Sequence, residues 1–377
     1  MSTPRPPARR SSGWVIGRVA GAPIILAPSW LIAAVVLTLI FAPTVRARAG
    51  DLGGLVYVVA LGFVVLLFAS VLVHELAHGF MARARGQQPR EFVLTLWGGH
   101  TAFGGATPTP GSSALIAVVG PVANLVLAAG FLALAQGTDS SSLVGLLLWS
   151  GCLANAFVGL FNLVPGLPLD GGYLLEAAVW AVTKNRHTGT VAAGWVGRVV
   201  AVGVFVWALV RPLASGRQPE LYDVVWAALV GAFLWSGASA AVRGGRTQKA
   251  VGLLTVGSVG RPAIGVGHSE SIAHAGALAA AAGAQEVVIL SPDGRPAAYV
   301  DRAAAASVPP DAAGTTPVTA VAVPLPGGAQ VDGLLTGQAL VAAVGRATEH
   351  SPVVVALVDG RVVGLIRAMD VVAAIRS

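Results

Sequence analysis

Val71-Leu72-Val73-His74-Glu75-Leu76-Ala77-His78-Gly79 is the stretch on which the reading of this chain turns. An apolar helix here carries two histidines four residues apart. Side chains at that spacing share one helical face, with Cβ atoms about 5–6 Å apart, so two imidazoles can hold one metal ion. The intervening Glu75 has the chemistry of a general base toward water at that metal. Zinc suits the donor set, because its charge brings the pKa of a bound water to about 7 and polarises a carbonyl. The ordinary alternative is a pair of satisfied helix histidines. A bilayer penalises that alternative: three ionisable groups in an apolar span need compensation, and coordination supplies it.

The surroundings are those of a membrane protein. Of the 377 residues, 55% are hydrophobic and 11% charged, with a mean hydropathy of +0.75; soluble domains carry about 25% charged residues. A helix needs about 20 apolar residues to cross the hydrocarbon core. Stretches near 24–43, 54–81, 113–135, 143–164, 193–211 and 221–242 qualify, and the segment 171–192 has room for one further short helix. Arg90 to Pro110 is too irregular for a helix. Its run Phe92 to Trp97, the pair Gly98-Gly99 and the return His100 to Phe103 read as a β-hairpin or re-entrant loop. Such backbone is tolerated at membrane depth only where protein or water satisfies it. His100, in its Gly-rich turn, reads as structural rather than as a fourth metal position.

Met1 to Arg18 is basic and Pro-rich without the apolar core of a signal peptide, and reads as a cytoplasmic tail. With that end inside, twelve Lys/Arg between Arg5 and Lys249 fall on the cytoplasmic side and four (Arg46, Arg48, Arg211, Arg217) outside. The bias predicts six spans with both termini cytoplasmic. The net charge of +7 lies in these clusters, a distribution that speaks for topology and against nucleic-acid binding. Cys152 is the only cysteine, so no internal disulfide or cysteine zinc site can form. Arginine far outnumbers lysine and Ala, Gly and Val are abundant, which points to a GC-rich bacterial genome and a bacterial plasma membrane.

After Lys249 the character changes, giving a division into 1–243 and 250–377. The second part reads as two modules, approximately 250–307 and 314–377, parted by Val308-Pro309-Pro310. Pro352 to Val358 is a buried-strand candidate, Asp359-Gly360 a turn, Val362 to Ile366 a returning strand and Ala368 to Ile375 a helix. Glu286 to Leu290, Asp293-Gly294 and Ala297 to Val300 repeat that outline, an internal duplication.

A catalytic zinc normally has three protein ligands and one open position. The third candidate lies in Asn162-Leu163-Val164-Pro165-Gly166-Leu167-Pro168-Leu169-Asp170-Gly171-Gly172. Two prolines end the fourth span there, and Asp170 emerges at a depth matching His74 and His78. A turn or N-cap aspartate is the ordinary alternative; the two histidines tip the balance toward a ligand.

With both motifs in view, the chain resembles the site-2 protease family of intramembrane zinc metalloproteases. Its trailing modules resemble tandem CBS domains, as in the subgroup that carries these in place of an inserted PDZ domain. The likeness runs over approximately 13–243 and 250–377. It implies a polytopic α-helical membrane protein of about six transmembrane helices with a re-entrant β-hairpin, plus a C-terminal α/β tandem CBS module. It implies one zinc per chain held by His74, His78 and Asp170, with Glu75 catalytic and Asn162 holding the substrate carbonyl or its oxyanion. Gly120-Pro121-x-x-Asn124 also resembles a family feature, in which Asn124 reads as helix packing or polar lining.

The implied activity is hydrolysis of a peptide bond within or near the transmembrane segment of a membrane-protein substrate, as in regulated intramembrane proteolysis. The implied partners are that substrate and the lipid bilayer. Phe92 to Phe103 is expected to offer an exposed strand edge to unwound substrate, with a purely structural plug as the equal alternative. The CBS likeness implies an adenine nucleotide between the repeats. Gly364-Leu365-Ile366-Arg367-Ala368-Met369-Asp370 keeps the pattern's Gly and Asp but has Arg367 where Ser or Thr is usual, placed to meet a phosphate or to stay solvated. Ala298 to Ala304 lacks both Gly and the final Asp. Packing or homodimer formation through the pair stands level with ligand sensing. The functional alternatives are a CBS-regulated transporter and a catalytically inactive homologue. A transporter accounts for the spans and the broken fourth helix, but not for Glu75 after His74 or Asp170 at matching depth.

Overall fold

The computed structural model describes residues 11–49, 52–96, 98–105, 108–139, 142–349 and 351–376. Met1 to Arg10 of the expected tail and Trp97 of the expected hairpin lie outside the described residues. The chain forms two units, Met1–Gly245 and Arg246–Ser377.

The first unit begins with β1 (Trp14–Val19) and β2 (Ala22–Leu26), followed by α1 (Ser29–Ala49) and α2 (Leu55–Ala84). The hairpin β3 (Gln87–Thr95) and β4 (Gly98–Gly105) comes next. Then follow α3 (Pro110–Gln136), α4 (Leu143–Asn162), α5 (Asp170–Thr183), α6 (Arg186–Ala214) and α7 (Leu221–Leu253). All but α5 among these helices are long and apolar enough to cross a membrane, six in number among the described residues. Val126, Leu134 and Val199 are among the many large apolar side chains left exposed on them, a surface suited to hydrocarbon and costly in water. The 14-residue α5 occupies the segment where a further short helix had room.

Two expectations change at the N-terminal end. Trp14 to Arg18, read as tail, is strand, and the first span starts at Ser29 rather than near residue 24. The physical reason is Pro28, which disfavours helix in the residue before it and opens one after it. The apolar residues Ala22 to Leu26 therefore extend instead of coiling, and pair with a neighbour.

That neighbour is the hairpin. The four strands form one sheet in the order β1-β2-β3-β4. β2 runs parallel to β3, with Ile24, Ile25 and Leu26 opposite Phe92, Val93 and Leu94. β3 pairs antiparallel with β4. Ile25, Phe92, Val93 and Leu94 are buried, so the sheet is a packed body whose backbone groups bond one another. The expected exposed edge consequently falls on β4. Leu94 sits inside the sheet, its strand paired on both sides.

The second unit carries a seven-stranded sheet, order β8-β7-β6-β5-β11-β10-β9. A short α8 (Val256–Val259) precedes β5 (Gly260–Gly267), α9 (Ile272–Ala281), β6 (Glu286–Leu290), β7 (Pro296–Val300) and α10 (Arg302–Ala306). After β8 (Ala322–Pro324), the succession β9 (Gln330–Asp332), α11 (Gly337–Ala347), β10 (Val353–Val358), β11 (Arg361–Arg367) and α12 (Ala368–Arg376) repeats it. In each repeat the first two strands are parallel and the next two antiparallel. The modules are less separate than the proline boundary suggested. Leu254, Val256 and Val259 pack in the core of the second repeat, and Val318 and Val321 in the core of the first. Each repeat thus lends a preceding segment to its twin.

Arg367 is half-buried and paired rather than a free surface cation. Its Nη2 donates to Glu286 Oε1 at 3.0 Å, and Arg261 Nη1 donates to the same oxygen at 3.3 Å. Glu286 is 1% exposed, so these two guanidinium groups are what keep its charge tolerable. They also bind β11 of one repeat to β5 and β6 of the other. Arg367→Ala is expected to lower the stability of this unit by about 1–2 kcal/mol, read as a lower urea midpoint in its unfolding transition.

Candidate metal centre

α2 brings His74, Glu75 and His78 to its last third, all three buried. Asp170 arrives from the other direction as the first residue of α5, where a carboxylate sits well against the positive end of the helix dipole. His74 Nε2 lies 2.8 Å and His78 Nε2 3.3 Å from Asp170 Oδ2. The two Nε2 atoms are 3.0 Å apart. The expected trio therefore converges on one point, and among the described residues it is the group that could hold a metal ion.

The remaining ring nitrogens decide what faces that point. His74 Nδ1 is 2.6 Å from Asn124 Oδ1, and His78 Nδ1 is 2.6 Å from the Ile116 carbonyl. Both partners only accept, so both Nδ1 atoms carry protons and donate. In the neutral imidazoles each Nε2 then presents a lone pair. Asp170 Oδ2, although close to both, is buried and receives no hydrogen bond. Three electron-rich atoms facing one another repel unless a cation lies between them. Their spacings of 2.8–3.3 Å approach the edge of about 3.3 Å of a tetrahedron with 2.0–2.1 Å bonds. The residues fit a zinc ion.

Close packing holds the arrangement. A Cβ on Gly120 of α3 would lie 2.5 Å from His78 Nε2 and 2.8 Å from His74 Cε1, so only glycine admits the imidazoles there. Asn124 follows one turn later, fully buried. Packing or lining was the expected part for it; the structure gives it a direct bond to a candidate ligand. The signal was present in the Gly120-x-x-x-Asn124 spacing, which puts both on one helical face.

Glu75 is covered by the hairpin. Thr101 Oγ1 on β4 donates to Glu75 Oε2 at 2.6 Å, and a Cβ on Gly99 would come within 2.5 Å of Glu75 Cγ. β4, one of the two edge strands of the sheet, thus passes beside the glutamate. Thr101 was not anticipated from sequence, since nothing in the hairpin's local pattern marks its neighbour across space. His100 lies on the same strand opposite Val93 and is not one of the grouped ligands. Asn162, at the end of α4, donates its Nδ2 to the Val158 carbonyl at 2.9 Å, a bond within its own helix. The structure does not bring it into hydrogen-bond contact with the His-His-Asp group.

Residues 62–144 and 130–206, which include all of these ligands, match the model of Peptidase family M50. Over this stretch the chain is similar to that family. Relatives named as zinc metalloproteases include Rip3 of Mycobacterium tuberculosis, 37% identical over 231 residues, covering 59% of this chain and 57% of that protein. Another is sll0528 of Synechocystis, 31% identical over 245 residues, covering 62% of this chain and 61% of that protein. The chain thus spans less than two thirds of the length of these relatives. Among solved structures, the Site-2 Protease from Methanocaldococcus jannaschii is similar with a TM-score of 0.43 and 23% identity, over 61% of this chain and 95% of that one.

The Gly120 contact makes a sharp expectation. Gly120→Ala should weaken zinc binding roughly tenfold or more, whereas Gly130→Ala on the same helix, which meets nothing within 4 Å, should leave it unchanged. Metal content of the purified proteins after dialysis against a chelator distinguishes the two.

Proposed function

We propose that this protein is an intramembrane zinc endopeptidase that cleaves a membrane-spanning protein within or near its transmembrane segment. The observation that carries this reading is the convergence of His74, His78 and Asp170 beside a buried Glu75 on an apolar helix. The match of 62–206 to the model of Peptidase family M50 and the names of the relatives support it.

A transmembrane substrate helix has its carbonyls occupied in its own hydrogen bonds, so cleavage requires local unwinding. The unwound segment adds to the free edge of β4 as a fifth strand, which lays its backbone next to Glu75. Zinc, when held by His74, His78 and Asp170, supplies Lewis acidity toward water and the scissile carbonyl. Glu75 takes a proton from the attacking water and returns it to the departing amine. Thr101, by donating to Glu75 Oε2, orients the carboxylate and leaves the other oxygen for the proton. Asn162 serves the carbonyl oxygen as it gains charge, exchanging its internal bond to Val158 for one to substrate.

The same proposal places both termini in the cytoplasm of a bacterium and the first unit in its plasma membrane, on the strength of the positive-charge bias. It reads the second unit as a tandem CBS module, on the strength of its two β-α-β-β-α repeats. Gly364 and Asp370 support an adenine nucleotide at the second repeat, while the engagement of Arg367 with Glu286 removes one candidate phosphate contact. Control of cleavage by this pair, through a nucleotide or through homodimerisation, belongs to the reading as well.

Glu75→Gln is expected to keep one zinc per chain and lose about 10²–10⁴-fold in cleavage rate, measured on a membrane-spanning reporter in vesicles. Full activity in that variant would remove Glu75 from the mechanism. The edge is tested by proline placed in turn at residues 100 to 103. Successive N–H groups of a strand point alternately to its two sides. Substitutions that remove an N–H from the open side should abolish cleavage with zinc content intact, and normal cleavage by all four would leave the hairpin a structural plug.

A further inference from the structure

His74 is tied to a helix that supplies no candidate ligand. Ser70 stands one turn before it on α2, and Asn155 meets Ser70 from α4; Ser70, Asn124 and Asn155 are each at most 2% exposed. Asn155 Nδ2 donates to the Gly151 carbonyl at 2.9 Å. Asn155 Oδ1 accepts from Ser70 Oγ at 2.8 Å and from Asn124 Nδ2 at 2.9 Å. Asn124 Nδ2 also donates to Ser70 Oγ at 2.7 Å, and Asn124 Oδ1 faces His74 Nδ1. The nitrogen and the oxygen of each amide thus have at least one partner.

The chain of bonds has one polarity. A backbone carbonyl only accepts, so the Gly151 oxygen fixes which end of the Asn155 amide points at it. Asn155 Oδ1 is thereby turned inward, where it can accept and never donate. Asn124 must then offer Nδ2 to it, which leaves Asn124 Oδ1 for His74. Turning either amide over would set oxygen against oxygen or N–H against N–H at full burial, a cost of several bonds. The end result is a proton on His74 Nδ1 and a lone pair on Nε2.

We infer that Asn155 is a positioning residue for the metal centre, acting through Asn124 to fix the tautomer and ring orientation of His74. The inference rests on the reading of His74, His78 and Asp170 as a metal site. Asn155 touches none of those three, and its role is distinct from helix packing because its polarity, not its volume, is what reaches His74. Partners of this kind, one or two bonds removed from a metal ligand, typically change metal affinity by about 10–100-fold when lost.

The test is a double-mutant cycle on the full chain in lipid nanodiscs, with zinc affinity read by competition against a chromophoric chelator. Asn155→Ala should bind zinc about 10–100-fold more weakly than the unsubstituted protein. Asn124→Ala should do the same, and the double variant should lose little more than either one, because Asn155 acts only through Asn124. A second measurement needs no variant: nitrogen NMR of the zinc-free, histidine-labelled protein should report the proton of His74 on Nδ1. Unchanged affinity in Asn155→Ala, additive losses in the double variant, or a His74 Nδ1 without a proton would each overturn the inference. An unsubstituted chain that binds no zinc would instead overturn the metal-site reading itself.

Discussion

The cost of holding ionisable side chains within an apolar bundle governs this structure more than any other term. A histidine or carboxylate taken out of water loses several kcal/mol of solvation unless something replaces it. Here each replacement is specific. The Nδ1 atoms of His74 and His78 spend their protons on Asn124 and on the Ile116 carbonyl, and what remains at the centre are three electron-rich atoms. The bundle brings them to one point, where a single cation would answer all three. Gly120 is a consequence of that demand, since the imidazoles need the volume a side chain would fill.

The same accounting explains the sheet. Irregular or extended backbone beside apolar helices must have its N–H and C=O groups satisfied by protein. The hairpin β3–β4 cannot do this alone, because one flank of β3 would remain open. β2 closes that flank by parallel pairing, which recruits the N-terminal segment across the length of α1 and α2. Only the β4 side is left, and it lies beside Glu75.

Much of this was legible in the sequence, for a physical reason. The spans declare themselves because bilayer thickness demands about 20 apolar residues, and His74, Glu75 and His78 because helical spacing alone puts two of them on one face. Asp170 could be chosen by the chain break at Pro165 and Pro168 together with depth. Other features depend on neighbours remote in sequence. Ala22 to Leu26 is as apolar as the helix it precedes, and only the presence of Phe92 to Leu94 alongside makes it strand. Thr101 and Asn124 are ordinary polar residues until the fold sets them against Glu75 and His74. Arg367 looked like a surface cation or a phosphate contact, because the buried Glu286 that claims it lies 81 residues away.

The asparagine bond to His74 also bears on how the first unit can move. The candidate ligands come from α2 and α5, while Gly120 and Asn124 seat them from α3. Any separation of these helices strips the ligands from their supports before it makes room for anything else. Motion that preserves the centre is left to α1 and the outer strand β1, since Arg186 and Thr190 of α6 hold Glu176 of α5, the helix that carries Asp170. Parting α2 from α5 would take His74 and His78 away from Asp170, whereas a shift of α1 would leave all three where they stand.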